Sequence, residues 1–203
     1  MDNPTTPRKP LVKSEETPSS EPEPPEPFVL AKNGDLQLIV GSVKQVILVH
    51  SWPLMNASAL LSDAIKDPRG PKPASDGYRQ GRTINLVDDD ADSWMVLCGI
   101  LHGKPQLDLD LSDGMLLYNL ANLAQKYDCA GSLLMGAEFY FSRMGCLGAV
   151  EELWRCFVAA YYLRSSRFFQ RIGSKLAARY RFSFLVFASR SINYTHATRL
   201  CCE

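Results

Sequence analysis

A strand and a helix are predicted by the pattern of apolar residues in TINLVDDDADSWMVLCGILHG, residues 83–103. Apolar residues form a short run after Thr83, and further on they recur with the spacing of one helix face. The helical pattern is carried by Trp94, Leu97, Cys98 and Leu101. Aspartates at 88–90 precede this helix, where a carboxylate can accept hydrogen bonds from unpaired N–H groups, and Gly103 predicts its end. The apolar face is too large to stay in water, so we expect it to pack against another part of the chain.

Two further strands are predicted upstream. The segments LQLIV at 36–40 and QVILVH at 45–50 are separated by Gly-Ser-Val-Lys, which indicates a β-hairpin. Nearly every residue of both strands is apolar, so we expect the hairpin to be covered on both faces or buried against helices and further strands, and not half-solvated. Because two strands alone are not stable in water, the strand at 83–87 is the predicted third member of the sheet.

Two short helices and a polar loop are predicted between the hairpin and the third strand. The first helix begins at Ser51-Trp52-Pro53, since a proline in the first turn loses no hydrogen bond. Ser58 is the predicted N-cap of the second helix. Residues 67–82 form a loop rich in proline, glycine and charge. Such a loop is either a tolerated insertion or an exposed recognition surface.

Four longer helices are predicted in the second half of the chain. Ser112 is the predicted N-cap of a central helix at 112–127, whose apolar face is the expected partner of the Trp94 face. This face consists of Leu116, Leu120, Leu123, Ala124 and Tyr127, with Leu117 and Ala121 beside them. A helix at 131–144 follows, and two further helical patterns predict a helical hairpin. The last pattern has an apolar residue at every fourth position: Phe168, Ile172, Leu176 and Tyr180.

The charge of the chain is balanced overall but not along its length. Lys plus Arg and Asp plus Glu both total 22, which gives no general reason to expect nucleic acid or an acidic membrane as partner. After Glu152, however, Glu203 is the only acidic residue. The predicted helix at 164–181 carries a basic stripe: Arg164, Arg167, Arg171, Lys175 and Arg179. Three roles stay open for this stripe, namely a solvated face, a seat for an acidic partner, and a surface that contacts nucleic-acid phosphates or an anionic membrane.

Both ends of the chain are predicted to be tails. Residues 1–27 are rich in proline and glutamate, a composition typical of disorder, and residues 191–203 have no usable periodicity. The sequence has neither the apolar core of a signal peptide nor an apolar run of about 20 residues. We therefore expect a nuclear or cytoplasmic protein without a membrane span. The six cysteines lack zinc-type spacing and are expected to be reduced.

No catalytic constellation is found in the sequence. His50, His102 and His196 are far apart along the chain, and structural roles are expected for them. The aspartates at 88–90 lack the glycine and the ligand spacing of an EF-hand, and no glycine-rich phosphate loop occurs. We therefore expect no enzyme activity, no metal, no cofactor and no small-molecule substrate.

The order of these elements resembles the BTB/POZ domain. In that family the second strand leads into a pattern like F-x-A-H-x-x-x-L-x-x-x-S-x-x-F. The corresponding residues here are Ile47, Val49, His50, Leu54, Ser58 and Leu61, with aliphatic side chains at both aromatic positions. VDDDADSWMVLCGILHG and AQKYDC at 124–129 are similar to fungal-type members. The resemblance covers residues 35–143, and ELWRCFVAAYYLRSSRFFQRI is similar to helices that often follow the domain.

The resemblance implies an α+β fold in which a small mixed β-sheet is capped by a cluster of helices and followed by a helical hairpin. The chain then divides into a tail at 1–27, a BTB/POZ-like domain at 28–144, a helical extension at 145–190 and a tail at 191–203. The implied function is protein–protein interaction, by self-association or by recruitment of a partner. The alternative is a substrate adaptor of a cullin-type ubiquitin ligase.

Candidate partner-binding residues follow from the adaptor role. Cullin-binding members often have a hydrophobic-x-Glu motif in the connection that corresponds to residues 103–111. KPQLDLDL contains no glutamate, and its nearest equivalent is formed by Leu107, Asp108, Leu109 and Asp110. Dimers of the family's longer form exchange an additional N-terminal helix and strand, whereas this chain has only residues 28–30 as apolar material there.

Overall fold

A computed structural model describes residues 25–67, 81–105, 110–112, 114–144 and 148–188. The strands in these ranges are β1 (Phe28–Val29), β2 (Leu36–Val40), β3 (Gln45–Val49) and β4 (Arg82–Leu86). The helices are α1 (Ser51–Ala57), α2 (Ala59–Lys66), α3 (Ala91–Leu101), α4 (Met115–Lys126), α5 (Ala130–Arg143), α6 (Val150–Tyr162), α7 (Ser166–Arg179) and α8 (Leu185–Ala188). The predicted α+β class with a small mixed sheet is confirmed.

Three of the predicted segments lie largely outside the described residues. They are the N-terminal tail up to residue 24, the C-terminal tail at 191–203, and residues 68–80 of the polar loop. Arg82, which the sequence places at the end of that loop, is instead the first residue of β4.

The sheet has the strand order β1-β3-β2-β4. β2 and β3 form the predicted antiparallel hairpin, in which Leu36 pairs with Val49 and Val40 with Gln45. β4 lies parallel to β2, with Arg82 opposite Leu36, so the predicted third strand is confirmed. β1 pairs in parallel with β3. The sequence does not predict β1, because two residues are too few to show a period.

The hairpin is buried on one face only. Along β2, Leu36, Leu38 and Val40 are buried, whereas Gln37 and Ile39 between them are half-buried. Successive side chains of a strand point to opposite faces of the sheet, so one face reaches the core and the other is covered in part. Of the two predicted arrangements, full covering of both faces is wrong for this second face, whereas packing of the hairpin against further strands is observed. Apolar composition alone does not reveal how much of each face the helices cover.

Predicted helix boundaries are confirmed at three residues. Ser58 caps α2, where its Oγ accepts a hydrogen bond from Leu61 N at 3.1 Å. Asp90 caps α3, where its carboxylate accepts one from Ser93 N at 2.9 Å. α3 ends before Gly103, whose φ of +64° is left-handed. The two caps satisfy N–H groups that the first turn of a helix leaves unpaired.

The start of α4 differs from the prediction. Ser112 does not cap this helix, because its own N–H donates to Asp110 at 2.8 Å and α4 begins three residues later. The N-cap position is held by Gly114, whose φ of +70° is a conformation that glycine adopts without strain. A β-carbon at Gly114 would also collide with the Cys156 sulfur of α6. Serine is a favoured N-cap residue, so the pattern pointed to Ser112, whereas close packing of α4 on α6 selects the glycine.

α4 is the central helix of the fold. It packs against α3, as predicted, and also against α5 and α6. Its buried residues are Leu117, Tyr118, Leu120, Ala121, Leu123 and Ala124. Leu116 and Tyr127 of the predicted apolar face are only half-buried. The buried face is rotated toward Leu117 and Tyr118 because α6 covers an additional side of the helix.

α6 and α7 form the predicted helical hairpin. Phe168, Ile172 and Leu176 of α7 are buried against the hydrophobic core, and the rings of Phe157 and Phe169 stack at 4.4 Å between the two helices. The buried residues of this hairpin and those of the preceding helices belong to one hydrophobic cluster. The helical extension therefore shares its core with the rest of the described fold.

A short helix that the sequence does not predict, α8, follows the hairpin. Its Phe187 and the preceding Phe184 stack on Trp154 of α6, with ring centroids 5.8 and 5.9 Å away. Tyr180 contacts both phenylalanines. Within the described ranges, no helix has both the length and the apolar character needed to cross a membrane.

The carboxylate of Asp89 joins the start of α3 to the end of α4. It accepts hydrogen bonds from Lys126 Nζ at 2.6 Å, from Tyr127 OH at 2.7 Å and from Trp94 Nε1 at 3.0 Å, and its side chain is only 5% exposed. Burial raises the pKa of this carboxyl, whereas the three hydrogen bonds and the charge of Lys126 lower it. The lowering effects are larger together, so the pKa lies below its usual value. Of the three aspartates predicted at the helix start, Asp90 is the cap and Asp89 points into the fold.

Asp89→Ala is expected to lower the free energy of unfolding by about 2–4 kcal/mol, because it leaves three donors without their charged acceptor. The neighbouring Asp88 is exposed, so Asp88→Ala serves as the control and should change stability by less than about 0.5 kcal/mol. Urea unfolding followed by circular dichroism measures both variants. Equal effects at the two positions would contradict the connecting role of Asp89.

The contribution of Asp89 should also depend on pH. Because its pKa is lower in the folded chain than the ordinary 3.8, its stabilisation is fully present above that value and is lost as the pH falls through the folded pKa. The difference in stability between the unaltered protein and Asp89→Ala should therefore shrink below about pH 4. A difference that grows on acidification would contradict this assignment.

Gly114→Ala is expected to destabilise the fold by about 1–3 kcal/mol, because alanine is strained at this φ and its β-carbon meets Cys156. Gly131, in the first turn of α5, is the control, since nothing lies within 4 Å of a β-carbon there. Gly131→Ala should be neutral or stabilising by up to about 1 kcal/mol. Thermal unfolding compares the two, and an unchanged Tm for Gly114→Ala would contradict the close contact between α4 and α6.

Candidate interaction surface

Large apolar side chains of α1 and α2 lie in water. Trp52 is 67% exposed and Leu60 is 53% exposed, on two short helices that pack against each other. Both helices are anchored on their other sides, where Leu54 and Leu61 belong to the core. We use the name α1–α2 surface for the exposed or half-buried apolar side chains of these two helices, Trp52, Met55 and Leu60.

A pocket of about 370 Å³ opens beside this surface. It is lined by residues from the start of the hairpin, α1, α2 and β4: Asp35, Ser51, Met55, Ile65, Lys66 and Arg82. Met55 follows Trp52 at the i+3 spacing, so the exposed indole and the pocket lie on the same side of α1. Arg82 donates to the Ile65 carbonyl, which ties the start of β4 to α2. The pocket therefore combines apolar side chains with two cations and one carboxylate.

Asp35 fixes the start of α1. Its carboxylate accepts hydrogen bonds from Ser51 N at 2.7 Å and from Ser51 Oγ at 2.6 Å. Burial raises the pKa of this carboxyl, but the hydrogen bonds from Ser51 lower it by more. His50, whose Nδ1 lies 3.9 Å from the carboxylate, lowers the pKa as well, so the net shift is downward. The side chain of His50, the residue before α1, makes no cap of its own. The orientation of α1, and with it that of Trp52, therefore depends on Asp35.

His102 holds the same helix start from the end of α3. Its Nε2 accepts a hydrogen bond from His50 N at 3.1 Å, and its Nδ1 lies 2.8 Å from the Cys98 carbonyl oxygen. The neutral imidazole with its proton on Nδ1 makes both bonds, whereas the protonated ring has no acceptor. Burial lowers the pKa of His102, and the nearby charges of His50 and Lys104 lower it as well. The hydrogen bond to the Cys98 carbonyl raises the pKa but does not outweigh these effects. The neutral form is therefore favoured at this position.

The group formed by Asp35, His50 and Ser51 is not an activated nucleophile. The Ser51 hydroxyl donates to Asp35, and the imidazole of His50 lies near the same carboxylate. Nucleophilic catalysis needs a base that takes the proton of the hydroxyl, and a carboxylate whose pKa is lowered is a poor one. The arrangement holds α1 in place.

Cys98 and Cys129 are protonated thiols at neutral pH. Cys98, Cys129 and Cys156 are buried and are not in disulfide bonds. Burial raises the pKa of Cys98 and raises that of Cys129 to about 11, so neither is a thiolate at neutral pH. In the part of the chain that the structure describes, no group of three His, Cys, Asp or Glu side chains could hold a metal ion.

The predicted partner-binding residues are described only in part. Leu107, Asp108 and Leu109 lie outside the described residues. Asp110 is exposed, and hydrogen bonds from Ser112 lower its pKa. The structure therefore places one of the four residues and does not test the site.

Two features of this region are missed by the sequence prediction. His50 and His102 are 52 positions apart along the chain, and no local pattern connects them. For Trp52 a signal exists, because residues two apart on a helix do not share a face and Leu54 carries the motif position that is buried. That spacing places Trp52 away from the core.

Neither a protein-family model nor a curated protein sequence matches the chain. The resemblance to the BTB/POZ domain stays a prediction that rests on the motif residues given above.

His102→Gln is expected to reduce the loss of stability on acidification. Because the pKa of His102 is below the ordinary 6.5, its stabilisation is fully present above that value and is lost as the pH falls through the lower folded pKa. Glutamine keeps an acceptor for His50 N but does not titrate. Urea unfolding between pH 7.5 and 5 measures the slope, with His50→Gln on the exposed neighbour as control. An unchanged slope in His102→Gln would contradict the role of the neutral imidazole.

Proposed function

We propose that this chain is a non-enzymatic protein–protein interaction module of the BTB/POZ type that binds its partner through the α1–α2 surface. The main observation in favour is that Trp52 is 67% exposed and lies on the same side of α1 as Met55, which lines the pocket. Tryptophan is among the residues most enriched at the energetic centres of protein interfaces.

The energetics of the surface favour an interface. Covering Trp52 and Leu60 with a partner would gain about 1.5–3 kcal/mol for each side chain, which is the range of residues that dominate binding. Both side chains stand on helices anchored by buried leucines and by the Ser58 cap. A surface held in this way needs little ordering when a partner binds.

Two features support the BTB/POZ assignment. The first is the small mixed sheet with its surrounding helices, in the element order that the resemblance implies. The second is a hydrogen bond from Ser58 Oγ to the carbonyl oxygen of Tyr127. Ser58 belongs to the motif that follows the second strand and Tyr127 belongs to AQKYDC, so two separate motifs of the resemblance meet in the fold.

The pocket defines the chemistry of the partner. Met55 and Ile65 offer apolar contacts, and Lys66 and Arg82 add two positive charges to the lining, against one negative charge from Asp35. A segment that presents an apolar side chain next to a carboxylate fits this combination.

A second copy of the chain can supply such a segment. Leu60 and Asp63 are both exposed on α2, three residues apart and therefore on one side of the helix. Self-association through the α1–α2 surface would place one copy's carboxylate near the cations of the other. Recruitment of a different protein would use the same surface, and the two cases differ in the mass of the purified protein.

Trp52→Ser combined with Leu60→Ser should weaken partner binding at least about tenfold, because it removes both exposed apolar side chains. Light scattering of the full chain measures self-association, and affinity purification from its native cells with quantitative mass spectrometry measures other partners. Met135→Ser is the control, since Met135 is 79% exposed on α5, outside the α1–α2 surface. Partners and mass that stay unchanged in the double variant would contradict the proposal.

The cullin-adaptor alternative gives a different result in the same purification. A cullin that stays bound in the Trp52 and Leu60 variant, and is lost with Leu107→Asp and Leu109→Asp, would place the contact in the connection after α3. That outcome would replace the α1–α2 surface as the binding site for that partner.

A further inference from the structure

The exposed face of α7 carries a row of cations. Arg164 lies just before the helix, and the others follow at intervals of three or four residues: Arg167, Arg171, Lys175 and Arg179. All five are exposed. Side chains at this spacing share one helix face, and the 14 residues of α7 extend over about 21 Å. We call these five residues the basic row.

Four members of the basic row have no acidic partner within the described structure, namely Arg164, Arg167, Arg171 and Lys175, whereas the Arg179 guanidinium donates to the Gly148 carbonyl oxygen at 3.4 Å. Residues 164–188 include no acidic residue. No described carboxylate lies within ion-pair distance of Arg164, Arg171 or Lys175, and the Arg167 guanidinium lies over the Phe168 ring at 5.5 Å. These side chains are therefore available to an external anion.

Two carboxylates of the neighbouring helices accept hydrogen bonds near the starts of α6 and α7. Glu138 of α5 accepts a hydrogen bond from Ser165 Oγ at 3.0 Å, next to the start of α7. Glu152 accepts two from backbone N–H groups at the start of α6. Glu151 is exposed at the same helix start. Hydrogen bonds from neutral donors leave Glu138 and Glu152 charged, so with Glu151 three acids lie near the five exposed cations and the surface stays positive.

An exposed apolar cluster follows the basic row directly. Phe182 is 77% exposed, and Leu185 and Val186 are each 48% exposed. The same short segment is anchored to the fold, because Phe184 and Phe187 stack on Trp154. The apolar side chains in water are therefore held at a defined position at the end of α7. We call Phe182, Leu185 and Val186 the apolar cluster.

We propose that α7 and α8 dock on an anionic lipid bilayer, with the basic row on the headgroups and the apolar cluster inserted at the boundary with the acyl chains. This activity is independent of the α1–α2 surface. α7 lies on the bilayer and does not enter it, because its own apolar residues Phe168, Ile172 and Leu176 are already buried in the core.

The combination of the two features selects a bilayer over other polyanions. Nucleic acid would use the basic row through its phosphates, and bases stack on aromatic side chains, but the aliphatic Leu185 and Val186 find no partner there. An acidic polypeptide would have to match both features in sequence. A bilayer offers a continuous negative plane above an apolar interior, and stable membrane attachment generally requires two such signals.

The expected strength of binding comes mainly from the charges. Each Lys or Arg close to an anionic membrane strengthens binding by about fivefold, so the four cations without an acidic partner, Arg164, Arg167, Arg171 and Lys175, together give roughly a thousandfold, and this part decreases with salt. The apolar cluster supplies a contribution that salt does not screen.

Sedimentation of the full chain with vesicles tests the proposal. Binding is expected to vesicles of phosphatidylcholine with 30 mol% phosphatidylserine and not to pure phosphatidylcholine. Arg167→Glu with Arg171→Glu should weaken this binding by at least about thirtyfold. Lys32→Glu with Lys44→Glu makes the same charge change at exposed positions outside the row and should have little effect. Equal losses in the two pairs would show that only net charge matters and would overturn the proposal.

The apolar cluster is tested separately. Phe182→Ser with Leu185→Ser should weaken binding to the anionic vesicles and make the remaining binding fully sensitive to salt. Circular dichroism confirms that each variant is folded, and Arg167→Gln with Arg171→Gln provides a second, milder charge variant. Binding that does not change in the Phe182 and Leu185 variant would overturn the insertion of the cluster.

Two competing polyanions complete the experiment. A 24-base-pair DNA duplex and a 20-residue polyglutamate peptide are titrated with the same proteins under the same salt conditions. Both are expected to bind more weakly than the anionic vesicles, and their binding should not change in the variant with Phe182→Ser and Leu185→Ser. Tighter binding to either one would overturn the choice of a bilayer and assign the basic row to nucleic acid or to an acidic protein.

Discussion

The buried carboxylate of Asp89 is the contact on which the positions of the other elements depend. Its hydrogen bonds set the indole of Trp94 and the ring of Tyr127 edge to face, with centroids 5.2 Å apart. The backbone carbonyl of Tyr127 in turn accepts a hydrogen bond from Ser58, the cap of α2. A buried charge is tolerated only when its hydrogen bonds are satisfied, so the turn after β4, the end of α4 and the start of α2 have to fit together. The location of Leu60, close to this cap, follows from that fit.

Much of the fold could be predicted from local patterns, because the forces involved are local. The helices α3 and α5 and the α6–α7 pair each bury a face whose period is visible in the sequence, and the hairpin is marked by its turn residues. The caps Ser58 and Asp90 act within a few residues of themselves. The inward turn of Asp89 was not predictable in this way, because Asp88, Asp89 and Asp90 are chemically identical and only the tertiary positions of Lys126 and Tyr127 distinguish them.

The candidate site was harder to predict because it depends on contacts between distant segments. The start of α1 is fixed by Asp35 from before β2 and by His102 from the end of α3. The α4 start is set by the space beside Cys156, which belongs to a helix far along the chain. Trp52 contributes to the apolar content of the sequence as any core tryptophan would. Its exposure follows only from the burial of Leu54 on the core side of the same helix.

The pairing of β2 has a consequence for the synthesis of the protein. β2 and β3 are adjacent in the chain and can pair as soon as both have left the ribosome. The other edge of β2 pairs with β4, and Leu86, the partner of Val40, is synthesised more than forty residues later. At roughly 5–20 residues per second, the open edge of β2 stays unpaired for several seconds on the ribosome. An apolar strand with a free edge is a template for pairing with another chain. The time between the hairpin and β4 is therefore the stage at which a growing chain is most exposed to aggregation and has the greatest need of a chaperone.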